Sequence, residues 1–266
     1  MKLVAADMDG TLLDSGHNMP GDMADIIRRM KARGIRFAAA SGRQYQSVKK
    51  LFDDIGASED MFFIAENGGI VCERDSILHC ETIPEEDVHM LIDMLEDMPD
   101  VRIILSGVDS AYIASELTDS DFGRNAALYC ESLAFSADLH KAAKTDRITK
   151  IAVFDPDAEH GCYPVLKQLD GKFNVVLSGT KWVDIVSKSA DKGSALRFIA
   201  EHMGITSAEV MAFGDYLNDL SMIEYAGESC AMENAHPLLK QAAKHIVPSN
   251  DDRGVTETIK KRVLAE

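Results

Sequence analysis

Four short apolar runs, each ending in a polar turn, constrain this chain more than any other feature. Residues 3–6, 35–40, 61–65 and 210–213 are apolar almost throughout and too short for helices, the pattern of strands buried on both faces. Helical stretches follow them. Residues 19–33 put Ile26, Ile27 and Met30 on one face and Arg28, Arg29 and Lys31 on the other, and Gly34 ends the stretch. Residues 45–55, 192–203 and 220–226 read as further helices, 230–232 and 245–247 as further strands, 255–263 as a last helix. Strands alternating with helices specify an α/β fold with a doubly wound, Rossmann-like parallel sheet. Such sheets bind ligands beyond the carboxyl ends of their strands.

The alternation breaks in the middle of the chain. Residues 70–72 and 77–82 read as a hairpin. After Pro84, residues 85–98 form an acidic helix with Val88, Leu91, Ile92 and Leu95 on its apolar face. Strands are expected at 101–105, 111–114 and 148–154, helices at 121–133 and 158–169, and a hairpin at 173–177 and 182–186. A helix followed by two strands occurs twice, near 85–115 and 158–187. This is an α+β pattern with antiparallel strands, and an inserted domain is expected at 83–186 between core segments 1–82 and 187–266. A chain of 266 residues suits two such units.

The polar turns carry the chemistry. Asp7 and Asp9 flank Met8 where the first run ends, ahead of Gly10 and Thr11. Side chains two apart on an extended chain point the same way, so two carboxylates crowd one space and repel. A divalent cation with oxygen ligands, Mg²⁺ above all, relieves that; one carboxylate can then serve as nucleophile and the other as acid/base. Solvated acids in a turn are the plainer alternative. The second run ends in Ser41-Gly42-Arg43, a phosphate perch at a helix N-terminus or simply a helix cap. The third ends in Glu66-Asn67-Gly68-Gly69 at the same edge. Lys192 opens a helix, where a cation is disfavoured unless an anion is near. The fourth run ends in Gly214-Asp215-Tyr216-Leu217-Asn218-Asp219. Asp215 is placed for a third metal carboxylate, Asn218 for an uncharged contact to an anion, and Asp219 for holding Lys192 or a metal-bound water; a cap cluster is the alternative. His89 and His202 sit within helices and read as structural or solvated.

Composition narrows the partners. A net charge of −16 argues against nucleic acid and anionic membranes, while a local cation still permits an anionic substrate. Five scattered cysteines form no zinc or redox motif and suit a reducing, cytoplasmic setting. The first residues do not read as a signal peptide, and no apolar run approaches a spanning length.

In order and spacing, Asp7-Met8-Asp9-Gly10-Thr11, Ser41-Gly42-Arg43, Lys192-Gly193 and Gly214-Asp215 with Asn218-Asp219 resemble the four motifs of the haloacid dehalogenase superfamily, in its Cof-type sugar-phosphatase branch. The resemblance covers the whole chain, the insert included. It implies a Rossmann-like core with an α/β cap that closes over it, and Mg²⁺-dependent hydrolysis of a small phosphate monoester through an aspartyl-phosphate. It implies Asp7 as nucleophile and Asp9 as acid/base. Asp7, the Asp9 carbonyl and Asp215 would ligate Mg²⁺, with Asp219 behind them. The backbone N–H of Met8 or Asp9, Ser41, Gly42, Lys192 and Asn218 would hold the phosphoryl group. Tyr216 stands where such proteins often carry a small or polar residue. Arg43, Asn67 and Asp184 are candidates for substrate contact. Sugar phosphates, a phosphorylated flavin precursor and pyridoxal phosphate are open as substrates, and a phosphomutase or a non-catalytic sugar-phosphate sensor are the competing activities. The partner is a small phosphorylated metabolite; the oligomeric state is not legible.

Overall fold

The structure, a computed structural model, describes residues 1–265 and falls into two compact units. The first comprises Met1–His79 and Asp191–Glu266, the second Cys80–Ala190. The insert is therefore wider at both ends than the 83–186 expected. Its first residue closes a strand, Ser76–Cys80, and its last directly precedes Asp191, which caps the helix that follows.

In chain order the first unit contains β1 (Leu3–Asp7), α1 (Met23–Ala32), β2 (Arg36–Ala40), α2 (Tyr45–Asp53), β3 (Met61–Ala65), β4 (Ile70–Glu73) and β5 (Ser76–Cys80). The second contains α3 (Glu85–Glu96), β6 (Arg102–Gly107), β7 (Ala111–Ala114), α4 (Asp121–Tyr129), β8 (Leu133–Ser136), α5 (Leu139–Thr145), β9 (Ile148–Phe154), α6 (Cys162–Leu166), β10 (Phe173–Gly179) and β11 (Trp182–Ser187). The chain returns to the first unit with α7 (Lys192–His202), β12 (Val210–Gly214), α8 (Leu220–Tyr225), β13 (Glu228–Met232), α9 (Pro237–Ala242), β14 (His245–Val247) and α10 (Gly254–Arg262).

The sheet of the first unit runs β14-β13-β12-β1-β2-β3-β4-β5, parallel from β14 through β3 and antiparallel where β4 joins. β1 lies at its centre between β12 and β2, and Leu3, Val4, Ala5 and Ala6 are wholly buried. That burial is why β1 reads as a continuous apolar run rather than an alternating one. Its order reverses beside β1: β2 and β3 follow on one side, β12, β13 and β14 on the other. This switch point is where a ligand crevice opens at the carboxyl ends of the strands. α1 begins at Met23 rather than at 19, because Pro20 and Gly21 occupy the preceding turn and the Met23 N–H bonds the Pro20 carbonyl. His202 packs edge-on against Phe62.

The second unit has a mostly antiparallel sheet, β10-β11-β9-β6-β7-β8, with β7 and β8 its one parallel pair. Ile103, Leu105, Ile151 and Val153 face one side, where Val88, Leu91, Ile92 and Leu95 of α3 cover them. Ile104 and Ala152 face the other, among Phe122 and Trp182. This is the two-residue period of a strand. β8 and α5 were not expected, and the helix foreseen at 158–169 is reduced to α6, which Gly161 precedes and Pro164 occupies only in its first turn. His89 is structural: its Nδ1 lies 2.7 Å from Nδ1 of His140, the rings stacked, joining α3 to α5. Among the described residues no helix is long and apolar enough to cross a membrane.

Phe52 of α2 locks this helix to the first unit's sheet, with ring centroids 6.1 Å from Phe37 and 6.0 Å from Phe63, all three buried. Phe52→Ala should lower the free energy of unfolding by about 3–5 kcal/mol in urea titrations. A loss below about 1 kcal/mol would show that α2 is not held by this cluster.

Candidate active site

Asp7 is the last residue of β1, and its carboxylate is almost fully buried. From the start of α7, Lys192 reaches it with Nζ 2.6 Å from Asp7 Oδ1 and 2.6 Å from Asp219 Oδ1. Lys192 is completely buried, as is Asp219. The anions that the helix-opening lysine required are these two. Asp219 Oδ2 accepts the N–H groups of Asp215 at 3.0 Å and Tyr216 at 3.2 Å, so both its oxygens are committed. Its side chain makes no cap bond to α8, but through the Tyr216 N–H it closes the capping box of the short 3₁₀ turn Leu217–Asp219, so the cap role and the lysine contact coexist in this residue.

Asp215 follows β12 and accepts the Thr11 hydroxyl at 2.9 Å. One carboxylate oxygen from each of Asp7, Asp215 and Asp219 lies within 4.8 Å of the others. Gly10 permits this approach: it has φ +80, and a Cβ there would stand 2.5 Å from Asp215 Oδ2. Burial, with the neighbouring Asp219 carboxylate second, pushes Asp215 up to about 6. Burial and Asp219 also hold Asp7 well above the ordinary carboxylate range, against the pull of Lys192. Lys192 lies above its ordinary range; burial opposes its charge, and Asp219 and Asp7 more than restore it. Three carboxylates against one ammonium leave two negative charges uncompensated, the charge of one divalent cation. The donors are all oxygen, so the set fits a hard cation such as Mg²⁺.

The other turns close around this centre. Ser41 is buried after β2, its hydroxyl accepting the Arg43 N–H at 3.1 Å. It does not cap α2, whose N-cap is Gln44. The Ser41 carbonyl accepts the Asn67 N–H at 3.0 Å, and Asn67, held at φ 54, accepts Asn218 Nδ2 at 3.1 Å. Gly42 leaves space for this, since a Cβ there would stand 3.1 Å from Asn67 Oδ1. Asn67, expected as a substrate contact, thus joins the Ser41 turn to the Asn218 turn. Arg43, expected in the same role, is paired with Asp9: Nε lies 2.8 Å from Oδ2, and Nη2 bonds Oδ1. Asp9 stands outside the carboxylate cluster and is partly exposed. Asp184, the third candidate for substrate contact, belongs to the second unit. It lies on β11, buried, 3.9 Å from Lys150. Tyr216 packs edge-on to His236, whose N–H bonds the Asp215 carbonyl at 2.7 Å.

Thr11, His17 and Asn234 were not foreseen. His17 Nδ1 lies 3.1 Å from Asp9 Oδ1, and Asn234 Nδ2 holds the Gly10 carbonyl at 2.8 Å. Thr11 adjoins the acids and could have been suspected; nothing local marks His17 or Asn234.

The sequence model of the haloacid dehalogenase-like hydrolases matches residues 4–259. The chain is 30% identical to the putative phosphatase YxeH of Bacillus subtilis, over 100% of this chain and 99% of that one. It is 32% identical to the 5-amino-6-(5-phospho-D-ribitylamino)uracil phosphatase YbjI of Escherichia coli, over 98% and 96%. The crystal structure of SMU.1108c from Streptococcus mutans superposes with a TM-score of 0.90 at 27% identity, over 99% of both chains.

In ion-free protein the folded state keeps a proton on Asp215 between the ordinary carboxylate range and about 6, where the unfolded chain has lost it. The folded state then binds more protons, and its stability falls as pH rises through that window. In EDTA, Asp215→Asn should therefore raise the melting temperature relative to wild type more at pH 7 than at pH 4. An equal effect at both pH values would contradict the crowding of these carboxylates.

Proposed function

We propose a reaction from one premise: the chain belongs to the haloacid dehalogenase-like hydrolase family and is a phosphatase. The reaction is Mg²⁺-dependent hydrolysis of a small phosphate monoester through a phosphoryl group carried on Asp7. The observation that carries it is the buried cluster with two uncompensated negative charges beside a lysine that still has a donor to give.

Mg²⁺, held by Asp7, the Asp9 carbonyl and Asp215 with Asp219 behind them, would supply the positive charge that offsets repulsion between a carboxylate and a phosphate dianion. Lys192 has three N–H donors and spends two on Asp7 and Asp219, which leaves one for a phosphoryl oxygen. The Ser41 hydroxyl, the Gly42 backbone, the N–H of Met8 or Asp9 and Asn218 add further donors around the transferring group. Asp7 attacks phosphorus, the bond from phosphorus to the leaving oxygen breaks, and Asp9 gives that oxygen its proton. Asp9 then takes a proton from water as the water attacks the phosphoaspartate; inorganic phosphate leaves and Asp7 is restored.

A small phosphorylated metabolite in the cytoplasm is the partner proposed. The printed substrate of the E. coli relative, a phosphorylated ribitylaminouracil, supports that class, and the net charge of −16 speaks against nucleic acid.

Wild-type protein with Mg²⁺ should release phosphate from a panel of phosphorylated sugars and cofactors, with release lost in EDTA. Asp7→Asn should fall to background, since uncatalysed monoester hydrolysis is among the slowest reactions, leaving up to about 10²¹-fold for the enzyme to supply. Release that ignores EDTA, or an Asp7→Asn rate within about tenfold of wild type, would overturn the reading.

A further inference from the structure

We propose that His17 is a positioning residue of this reaction, which fixes the Asp9 carboxyl so that one acceptor site, on Oδ2, stays open for the proton that Asp9 transfers. The proposal rests on the acid/base role of Asp9 inferred above.

A carboxylate offers about four acceptor sites. Asp9 Oδ1 receives two donors, Arg43 Nη2 and His17 Nδ1, the latter at 3.1 Å. Oδ2 receives one, Arg43 Nε at 2.8 Å. The fourth site therefore lies on Oδ2, and among the described residues nothing fills it. The Arg43 fork alone treats the two oxygens alike, with one N–H to each. His17 makes them unequal, because it adds a donor to Oδ1 only. The bond needs a proton on Nδ1, which the neutral ring provides in one of its tautomers, so the role requires no charge on the imidazole.

The chain is built to deliver this ring. His17 has φ 60, the left-handed region that non-glycine residues seldom adopt. A turn centred on Asp14 holds it there. The Asp14 carbonyl accepts the His17 N–H at 2.8 Å, and Asp14 Oδ1 accepts the N–H groups of Gly16 and Asn18, both at 2.8 Å. Ser15 fastens the turn to the distant Asp251 through its N–H and its hydroxyl, each at 2.8 Å. The His17 side chain is 60% exposed, so core packing does not explain its orientation. Its one described side-chain bond is to Asp9.

The test compares kcat/KM for two esters with the protein and Mg²⁺. The p-nitrophenolate of p-nitrophenyl phosphate leaves without a proton; the sugar alkoxide of glucose 6-phosphate needs one. His17→Ala should lower kcat/KM, which reports transfer of the phosphoryl group to Asp7 and not the water step common to both esters, about tenfold for glucose 6-phosphate and less than about twofold for p-nitrophenyl phosphate. His17→Asn should restore glucose 6-phosphate turnover to within about threefold of wild type, because Asn accepts the left-handed backbone and places an N–H where Nδ1 stands. Equal losses on both esters, or no loss on either, would overturn the proposal while the phosphatase reading stands. Turnover of p-nitrophenyl phosphate that survives Asp7→Asn, or no turnover of either ester by wild type, would instead overturn the reading on which the proposal rests, and the proposal with it.

Discussion

The structure turns on one ammonium group. Lys192, without solvent contact, sits 2.6 Å from both Asp7 and Asp219. A buried charge left unpaired costs several kcal/mol, and a buried pair recovers that only with good geometry and satisfied remaining sites. Here the conditions are met on most sides. Asp219 has two backbone N–H groups on its second oxygen, and Lys192 begins a helix already capped by Asp191 and Ser194. The same lysine bridges segments that are far apart in sequence, the end of β1, the start of α7 and the turn after β12. Misplacing any one of them would strand a charge in the interior, so the ion cluster specifies the register of the sheet ends as well as the chemistry.

Incomplete compensation makes the cluster functional. A cluster neutral by itself would give a cation no reason to bind. The two charges left over suit the divalent ion proposed here, and the carboxyls of Asp7 and Asp215, raised by burial first and by Asp219 second, agree with it. The parallel sheet explains why this place lies where it does. Strands that all end at one edge deliver Asp7, Ser41 and Asp215 to the same crevice without long loops. Stability and catalysis are thus drawn from opposite ends of the same strands: buried alanines, valines and phenylalanines below, crowded oxygen atoms above.

Features whose cause is local were legible in the sequence. The buried strands announce themselves as apolar runs, and acids placed directly after them are the residues the edge collects. Lys192 was legible because its position defies the helix dipole. Arg43 was legible as a residue of interest but not in its role, since its partner Asp9 lies 34 positions away and only the fold brings them together. His17 carries no sequence signal at all; its placement depends on a turn pinned by Asp251 from the far end of the chain. The helix expected at 121–133 runs past the end of α4 at Tyr129, and residues 134–147, where most of β8 and all of α5 stand, carry no expectation because the two elements are only four and seven residues long, too short for a periodic signal. The buried neighbour of Asp184, Lys150, stands on the adjoining strand β9, a pairing that periodicity alone does not reveal.

The most direct test is the stability of Lys192→Met in EDTA, a change that keeps an unbranched side chain one atom shorter and removes its charge. If the ammonium is what allows Asp7 and Asp219 to be buried together, urea titration at pH 7 should show a loss of about 3–5 kcal/mol, and adding Asp219→Asn should recover part of it. A Lys192→Met protein as stable as wild type would mean that the carboxylates do not depend on this lysine, and the central claim would fail.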